Sequence, residues 1–192
     1  MAPKKNPDRA LLLTPGAGAD RNQSALVAIE RGLEPVPVER MDFPYRKAGR
    51  KSPDKPAVLL AAVVEGAGAL ATHTGLAPER LVLGGRSMGG RICSMAVADG
   101  LPALGLALVS YPLHPPGKAD RLRTEHFPQL DLPCLFVSGT RDAFGTVQEL
   151  EQATEAIPGP ITHHWIEGGD HGLRRRDDEV AAIVSDWVVG LS

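Results

Sequence analysis

The strongest constraint in this chain is a repeated alternation. Apolar runs too brief to be helices are separated by stretches with helical patterning, along the whole length. A parallel sheet requires this, because each connection between neighbouring parallel strands must cross a face of the sheet and is usually a helix. The apolar runs read as six strands: Ala10–Thr14, Glu34–Val38, Arg80–Gly84, Leu104–Ser110, Cys134–Ser138 and Thr162–Ile166. Between them, Ser24–Arg31 reads as a helix closed by Gly32, Pro56–His73 as a helix ending before Gly75, and a third helix runs from just after Ser87 to about Asp99. Thr146–Ala156 follows. Val180, Ile183, Val184, Trp187 and Val188 then recur at helical spacing behind Asp177, Asp178 and Glu179, acids suited to the positive end of a helix dipole. The expected fold class is α/β, about six mostly parallel strands with helices on both faces, in one domain over residues 1–192. Two stretches, Arg40–Lys55 and Tyr111–Pro133, are expected to be irregular because prolines interrupt them.

Composition narrows the function classes. Lys and Arg number 21 against 23 Asp and Glu, a net charge of −2, so no basic excess is present to suit nucleic acid or an anionic membrane. The most apolar stretch, Ala57 to Ala71, carries Glu65, Gly66 and Gly68 and is shorter than the roughly 20 residues that span a bilayer. At the N-terminus only three leucines precede Pro15, too little for the apolar region of a signal peptide. Cys93 and Cys134 have no CxxC spacing and read as buried thiols in a reducing compartment. A cytoplasmic, soluble protein without membrane association is expected. His163 and His164 lie in one strand, where successive side chains face opposite ways, so they make a poor metal pair, and no metal or cofactor is expected.

The sharpest chemical signal is Gly85-Arg86-Ser87-Met88-Gly89, which fits G-x-S-x-G directly after an apolar strand and directly before an apolar helix. That context makes a turn so tight that the serine backbone is strained and side chains on its flanks would collide. A serine hydroxyl is a weak nucleophile, so the turn matters only if a base and an orienting acid reach it. Two more strand ends supply candidates: Asp142 after the fifth strand and His171 after the sixth. Parallel strands put all three loops at one edge of the sheet, where open α/β sheets bind ligands. Asp170 adjoins His171, but a sequence neighbour rarely turns its carboxylate onto the same ring's Nδ1, so Asp142 is the preferred acid.

Acyl transfer also needs two backbone N–H groups aimed at the developing oxyanion. The N–H of Met88 is one candidate. The other is Ala17, in the loop after the first strand, where Gly16 and Gly18 permit close backbone approach. Phosphate binding by this loop is disfavoured, because Arg21 stands where a dinucleotide fingerprint needs its third glycine. Candidate pocket residues are Gly18, Arg86, Tyr111 and His114, with Arg86 able to meet an acidic substrate group.

With these residues in place, the chain resembles the α/β-hydrolase superfamily, in particular its small lidless members grouped with dienelactone hydrolases. It is most similar to a family that includes the hydrolase-like subunit of the NSL chromatin acetyltransferase complex. The likeness runs through the PGAGA loop, GGRSMGGR, SYPLHPPGK, GTRDAFG and GGDHG. It implies a minimal α/β-hydrolase fold without a lid domain, with Ser87 as nucleophile, Asp142 as acid and His171 as base. Where many relatives carry His-Gly in the oxyanion loop, this chain has Pro15-Gly16. The implied activity is that of a carboxylesterase on small-molecule esters, with no cofactor. A thioesterase or acyltransferase using the same residues, or a non-catalytic interaction module, are the alternatives.

Overall fold

The computed structural model describes residues 8–192; the N-terminal stretch Met1–Pro7, part of the segment read above for a signal peptide, lies outside the described residues. Six strands form one sheet: β1 (Ala10–Thr14), β2 (Val38–Arg40), β3 (Leu81–Arg86), β4 (Gly105–Val109), β5 (Cys134–Gly139) and β6 (Ile161–Ile166). Their order is β2-β1-β3-β4-β5-β6, and every pairing is parallel. The helices are α1 (Ser24–Leu33), α2 (Pro44–Lys47), α3 (Pro56–Thr74), α4 (Met88–Ala98), α5 (Val147–Thr154) and α6 (Asp177–Gly190). The α/β expectation therefore holds, with no lid domain among the described residues.

Strand alternation divides the core into two layers. Leu12, Leu83, Leu106, Leu108 and Phe136 point to the face covered by α3 and α4, whereas Leu11, Leu13, Val82, Ala107, Val109 and Val137 point to the face covered by α1 and α6. The four central strands β1, β3, β4 and β5 are buried on both faces almost throughout, which is why they read as continuous apolar runs. Helix α3 is long and apolar enough to cross a membrane by length and composition alone. In the fold its stripe of Leu59, Val63, Ala67 and Leu70 packs inward, while Val58 and Val64 face outward.

Three sequence expectations are corrected. The second strand runs over Val38–Arg40 and not Glu34–Val38. Pro35 and Pro37 have no N–H to give a ladder, so pairing begins only where Leu11 N–H donates to Pro37 O and Val38 aligns with Leu11. Gly32 does not close α1 but lies inside it, where the lack of a side chain lets α6 approach: a Cβ there would sit 2.9 Å from Ser185 Oγ. The segment expected to be irregular over Arg40–Lys55 contains the single-turn α2.

The other irregular segment, between β4 and β5, is tied to α4. Ser94 Oγ and His126 Nε2 lie 2.8 Å apart, Tyr111 Oη donates to Arg123 O at 2.6 Å, and Tyr111, Phe127 and Phe136 form an aromatic cluster. Burial, and secondarily the nearby Arg91 charge, push the His126 imidazole down to about 4, against weaker opposing effects of Glu125 and Asp99. An unfolded chain protonates this ring near 6.5 while the native state resists, so as pH falls from about 6.5 toward 4 the unfolded state binds the extra proton and stability declines. Allowing for the ring's partial exposure, urea denaturation should show the wild type losing on the order of 1–2 kcal/mol more than His126→Gln across that window. Identical pH dependence in the two proteins would contradict this burial account.

Candidate active site

The sheet order reverses direction between β1 and β3, so the loops leaving these two strands diverge and open a crevice at their carboxyl ends. Ser87 stands in that crevice between β3 and α4, with φ 50° and ψ −117°, a conformation a side chain adopts only under constraint. The constraint comes from packing. Thr14 aligns with Gly85, and a Cβ on Gly85 would overlap Thr14 Oγ1 and Thr14 O. A Cβ on Gly89 would sit 2.5 Å from Thr14 O and 2.6 Å from Pro15 O. Thr14 Oγ1 in turn donates to Gly84 O at 3.0 Å and lies 3.4 Å from Cys93 Sγ. The two glycines of the motif thus let β1 press directly against the turn. Both cysteines are buried with thiols pushed up to about 12 by burial, so they remain protonated packing groups.

His171 and Asp142 come from the far side of the sheet. The loop after β6 leans onto the loop after β5: Arg141 N–H donates to Gly169 O at 2.8 Å, Thr140 N–H to Ile166 O at 3.0 Å, and Gly168 N–H to Thr140 Oγ1 at 2.8 Å. A Cβ on Gly139 would overlap Gly169 O, so this approach also depends on glycine. The result is a hydrogen-bonded row. Ser87 Oγ lies 2.8 Å from His171 Nε2, and His171 Nδ1 lies 2.8 Å and 3.0 Å from the two Asp142 oxygens. The Asp142 side chain is 2% exposed and the His171 side chain 20%. Asp142 Oδ1 also accepts Phe144 N–H at 2.8 Å, and the Phe144 ring stacks on the imidazole with centroids 3.9 Å apart. Arg86 Nη2 donates to His171 O at 2.6 Å, anchoring the histidine loop to the Ser87 turn, and burial lowers the Arg86 pKa below the ordinary guanidinium range.

A cavity of about 480 Å³ opens over Ser87, lined by Gly16, Ala17, Gln23, Arg86, Met88, Arg91, Pro112, Arg123, Phe144 and His171. A second groove of about 510 Å³ lies between α1 and α6, and its lining contains no histidine or cysteine. Of the residues expected to line the pocket, only Arg86 does. Gly18 is turned away, its N–H donating to Tyr45 Oη at 3.2 Å. Tyr111 is buried in the aromatic cluster, and His114 is buried with Nδ1 2.9 Å from Pro115 O and Nε2 3.4 Å from Glu149 Oε2. Both side chains pack the proline-stiffened connection and leave its other residues, Pro112 and Arg123, to form the cavity wall. Gln23, Arg91, Arg123 and Phe144 were not expected. Arg91 had a legible signal, since it lies one helical turn after Ser87 on the same helix.

Met88 is the first residue of α4, and the first N–H bonded back to this turn is that of Arg91, to Ser87 O at 3.1 Å, so the Met88 N–H has no intrahelical acceptor. In the β1 loop, Gly16 N–H donates to Gln23 Oε1 at 3.0 Å and Gly18 N–H to Tyr45 Oη, which leaves the Ala17 N–H between them without an acceptor among the described residues. Among the described residues no cluster of three or more His, Cys, Asp or Glu side chains could hold a metal ion.

Comparison with known proteins agrees with this architecture. A segment of 63 residues is 35% identical to epoxide hydrolase A of Mycobacterium tuberculosis, covering 32% of this chain and 20% of that protein, so the match spans about a fifth of the relative's length. A dienelactone hydrolase from Anabaena variabilis superposes with a TM-score of 0.78 over 97% of this chain and 88% of its own, at 16% identity. An alpha-beta serine hydrolase homologue from Coxiella burnetii gives 0.75 over 96% and 87%, at 17% identity. At such identities the likeness speaks for the fold. The family itself is given by the sequence, which matches an alpha/beta hydrolase domain over residues 7–184, and the chain belongs to that family.

Proposed function

We propose that the chain is a single-domain serine hydrolase, a carboxylesterase acting on small acyl esters through an acyl-enzyme. The observation that carries the reading is the row Ser87 Oγ, His171 Nε2, His171 Nδ1 and Asp142, with 2.8 Å at both junctions, at a strained turn that opens into a cavity. In this reading Ser87 Oγ attacks the acyl carbon while its proton passes to His171 Nε2. The tetrahedral oxyanion then collapses, the carbon–oxygen bond to the alcohol breaks, and the alcohol leaves with that proton. Water repeats the sequence in reverse sense, releasing the acid and restoring Ser87. Asp142 accepts the Nδ1 proton bond throughout, which keeps the lone pair on Nε2 and stabilises the imidazolium.

The oxyanion is assigned to the N–H groups of Met88 and Ala17. Gln23 is a positioning residue in this scheme, since its side-chain carbonyl holds Gly16 N–H and so orients the next peptide. Epoxide opening, the chemistry in the name of the mycobacterial relative, suits these residues less well. A serine that opened an epoxide would be left as an ether, which water does not cleave, whereas an acyl-serine ester is readily hydrolysed. The finer kinship with the family of the NSL complex subunit rests on the ordered sequence blocks, and it keeps an interaction role as the alternative.

Ser87→Ala should lower turnover of p-nitrophenyl acetate by at least about 10³-fold, and Asp142→Asn should lower kcat on the order of 10³- to 10⁴-fold, both with the urea midpoint little changed. A fluorophosphonate probe should label Ser87 in the wild type; folded protein that resists labelling would favour the interaction role. Gln23→Leu should reduce kcat roughly tenfold or more with little change in KM, and speed amide hydrogen exchange at Gly16. Unchanged kcat with faster exchange would remove the β1 loop from the oxyanion site.

A further inference from the structure

We propose that the cavity selects esters carrying a second, anionic group, a carboxylate or a phosphate, which Arg91 and Arg123 bind beside Ser87. The proposal rests on the hydrolase reading and names its substrate class. Both guanidinium-bearing residues line the same cavity as Ser87 and His171, one from α4 and one from the connection between β4 and β5. No Asp or Glu lines it. Elsewhere the chain pairs its partly buried arginines: Arg40 meets Glu30 at 2.7 Å and Arg46 meets Asp20 at 3.3 Å. Among the described residues neither Arg91 nor Arg123 has such a carboxylate. Arg91 Nε is buried with no hydrogen-bond partner, and Arg123 Nη1 makes one long contact, 3.4 Å to Pro112 O.

A partly buried guanidinium with no carboxylate partner carries a desolvation cost that a bound anion offsets. Here two like charges stand close enough for Arg91 to lower the Arg123 pKa, after burial as the main cause. The nearby acids Asp99 and Glu125 act on His126, outside the cavity lining. The positive charge is also local, because the chain as a whole carries −2. Arg86 differs from the other two. It already donates to His171 O and feels Asp142, Asp170 and Asp177, so it serves the scaffold. Guanidinium groups match carboxylate and phosphate oxygens in pairs, and a half-ester would seat its anion on the arginines with its ester carbon at Ser87.

Three esters of similar length separate the cases: p-nitrophenyl hydrogen glutarate, p-nitrophenyl 4-phosphonobutanoate and the neutral p-nitrophenyl pentanoate, each corrected for uncatalysed hydrolysis. The expected result is a kcat/KM at least tenfold higher for one anionic ester than for the neutral one. The preferred arm identifies carboxylate or phosphate, and the preference should shrink with added salt. Arg91→Met and Arg123→Met should each collapse that ratio, whereas Arg121→Met, at an exposed residue outside the cavity, should preserve it. Ser87-dependent turnover without anionic preference, or a preference indifferent to both substitutions, overturns the proposal and leaves the hydrolase reading intact. If no ester is turned over, that reading fails and the pocket is judged by calorimetry on the Ser87→Ala protein. Binding of N-methylglutaramic acid or 4-phosphono-N-methylbutanamide over N-methylpentanamide, lost in Arg91→Met, keeps the anion site; equal or absent binding of all three overturns it.

Discussion

The site depends on how closely β1 can press against the turn that follows β3. Thr14 occupies the space that a side chain at Gly85 or Gly89 would need, and its hydroxyl is spent on Gly84 O, inside the layer. That contact does two things at once. It holds Ser87 at positive φ, lifting the hydroxyl clear of the sheet, and it brings the β1 loop, with its Ala17 N–H, to the rim of the same crevice. Close packing makes the arrangement stiff, because an interior at crystal-like density has no slack to absorb even one methyl group.

The remaining pieces arrive by a different route. β3 and β6 are separated by β4 and β5, so at about 4.8 Å per strand the histidine loop must reach back over roughly 14 Å. It does so by resting on the β5 loop, backbone on backbone, at Gly139 and Gly169. Asp142 and His171 are therefore held relative to each other by adjoining loops, and Arg86 ties the pair to the Ser87 turn through His171 O. Phe144 holds the ring from the cavity side and donates its own N–H to Asp142.

Much of this is legible in the sequence because of where the candidate site residues sit. Ser87, Asp142 and His171 each follow directly on a buried strand, so finding the apolar runs also found the loops at the shared edge. Departures arose where short-range signals met tertiary contacts. Gly32 looks like a helix stop, but the close approach of α6 at Ser185 keeps it helical. Pro35 and Pro37 delay β2 by withholding donors, a backbone effect that apolar character does not display. The largest gap lies in the connection between β4 and β5. It has no periodicity to reveal which residues face in, and Tyr111 and His114, polar and nominally suited to a substrate, turn out to be its internal packing, while Pro112 and Arg123 face the cavity.

The charge layout of the crevice bears on the chemistry itself. In the proposed reaction, proton transfer from Ser87 to His171 creates an imidazolium and an oxyanion within one cavity, and the arginine charges on its wall, Arg86, Arg91 and Arg123, act on both with opposite sign. Asp142, 2% exposed and bonded to Nδ1, offsets the repulsion on the imidazolium side. No carboxylate lines the arginine side, so the cavity wall there carries a positive field. That field favours the oxyanion but opposes charging the histidine. A substrate that brings its own anion to Arg91 and Arg123 cancels the field nearest the wall and leaves the donors of the turn to act on the oxyanion. Substrate charge and proton transfer are then coupled through distance alone, without any movement of the protein. In the proposed reaction this coupling gives Arg91 and Arg123 an effect on proton transfer in addition to holding the substrate anion.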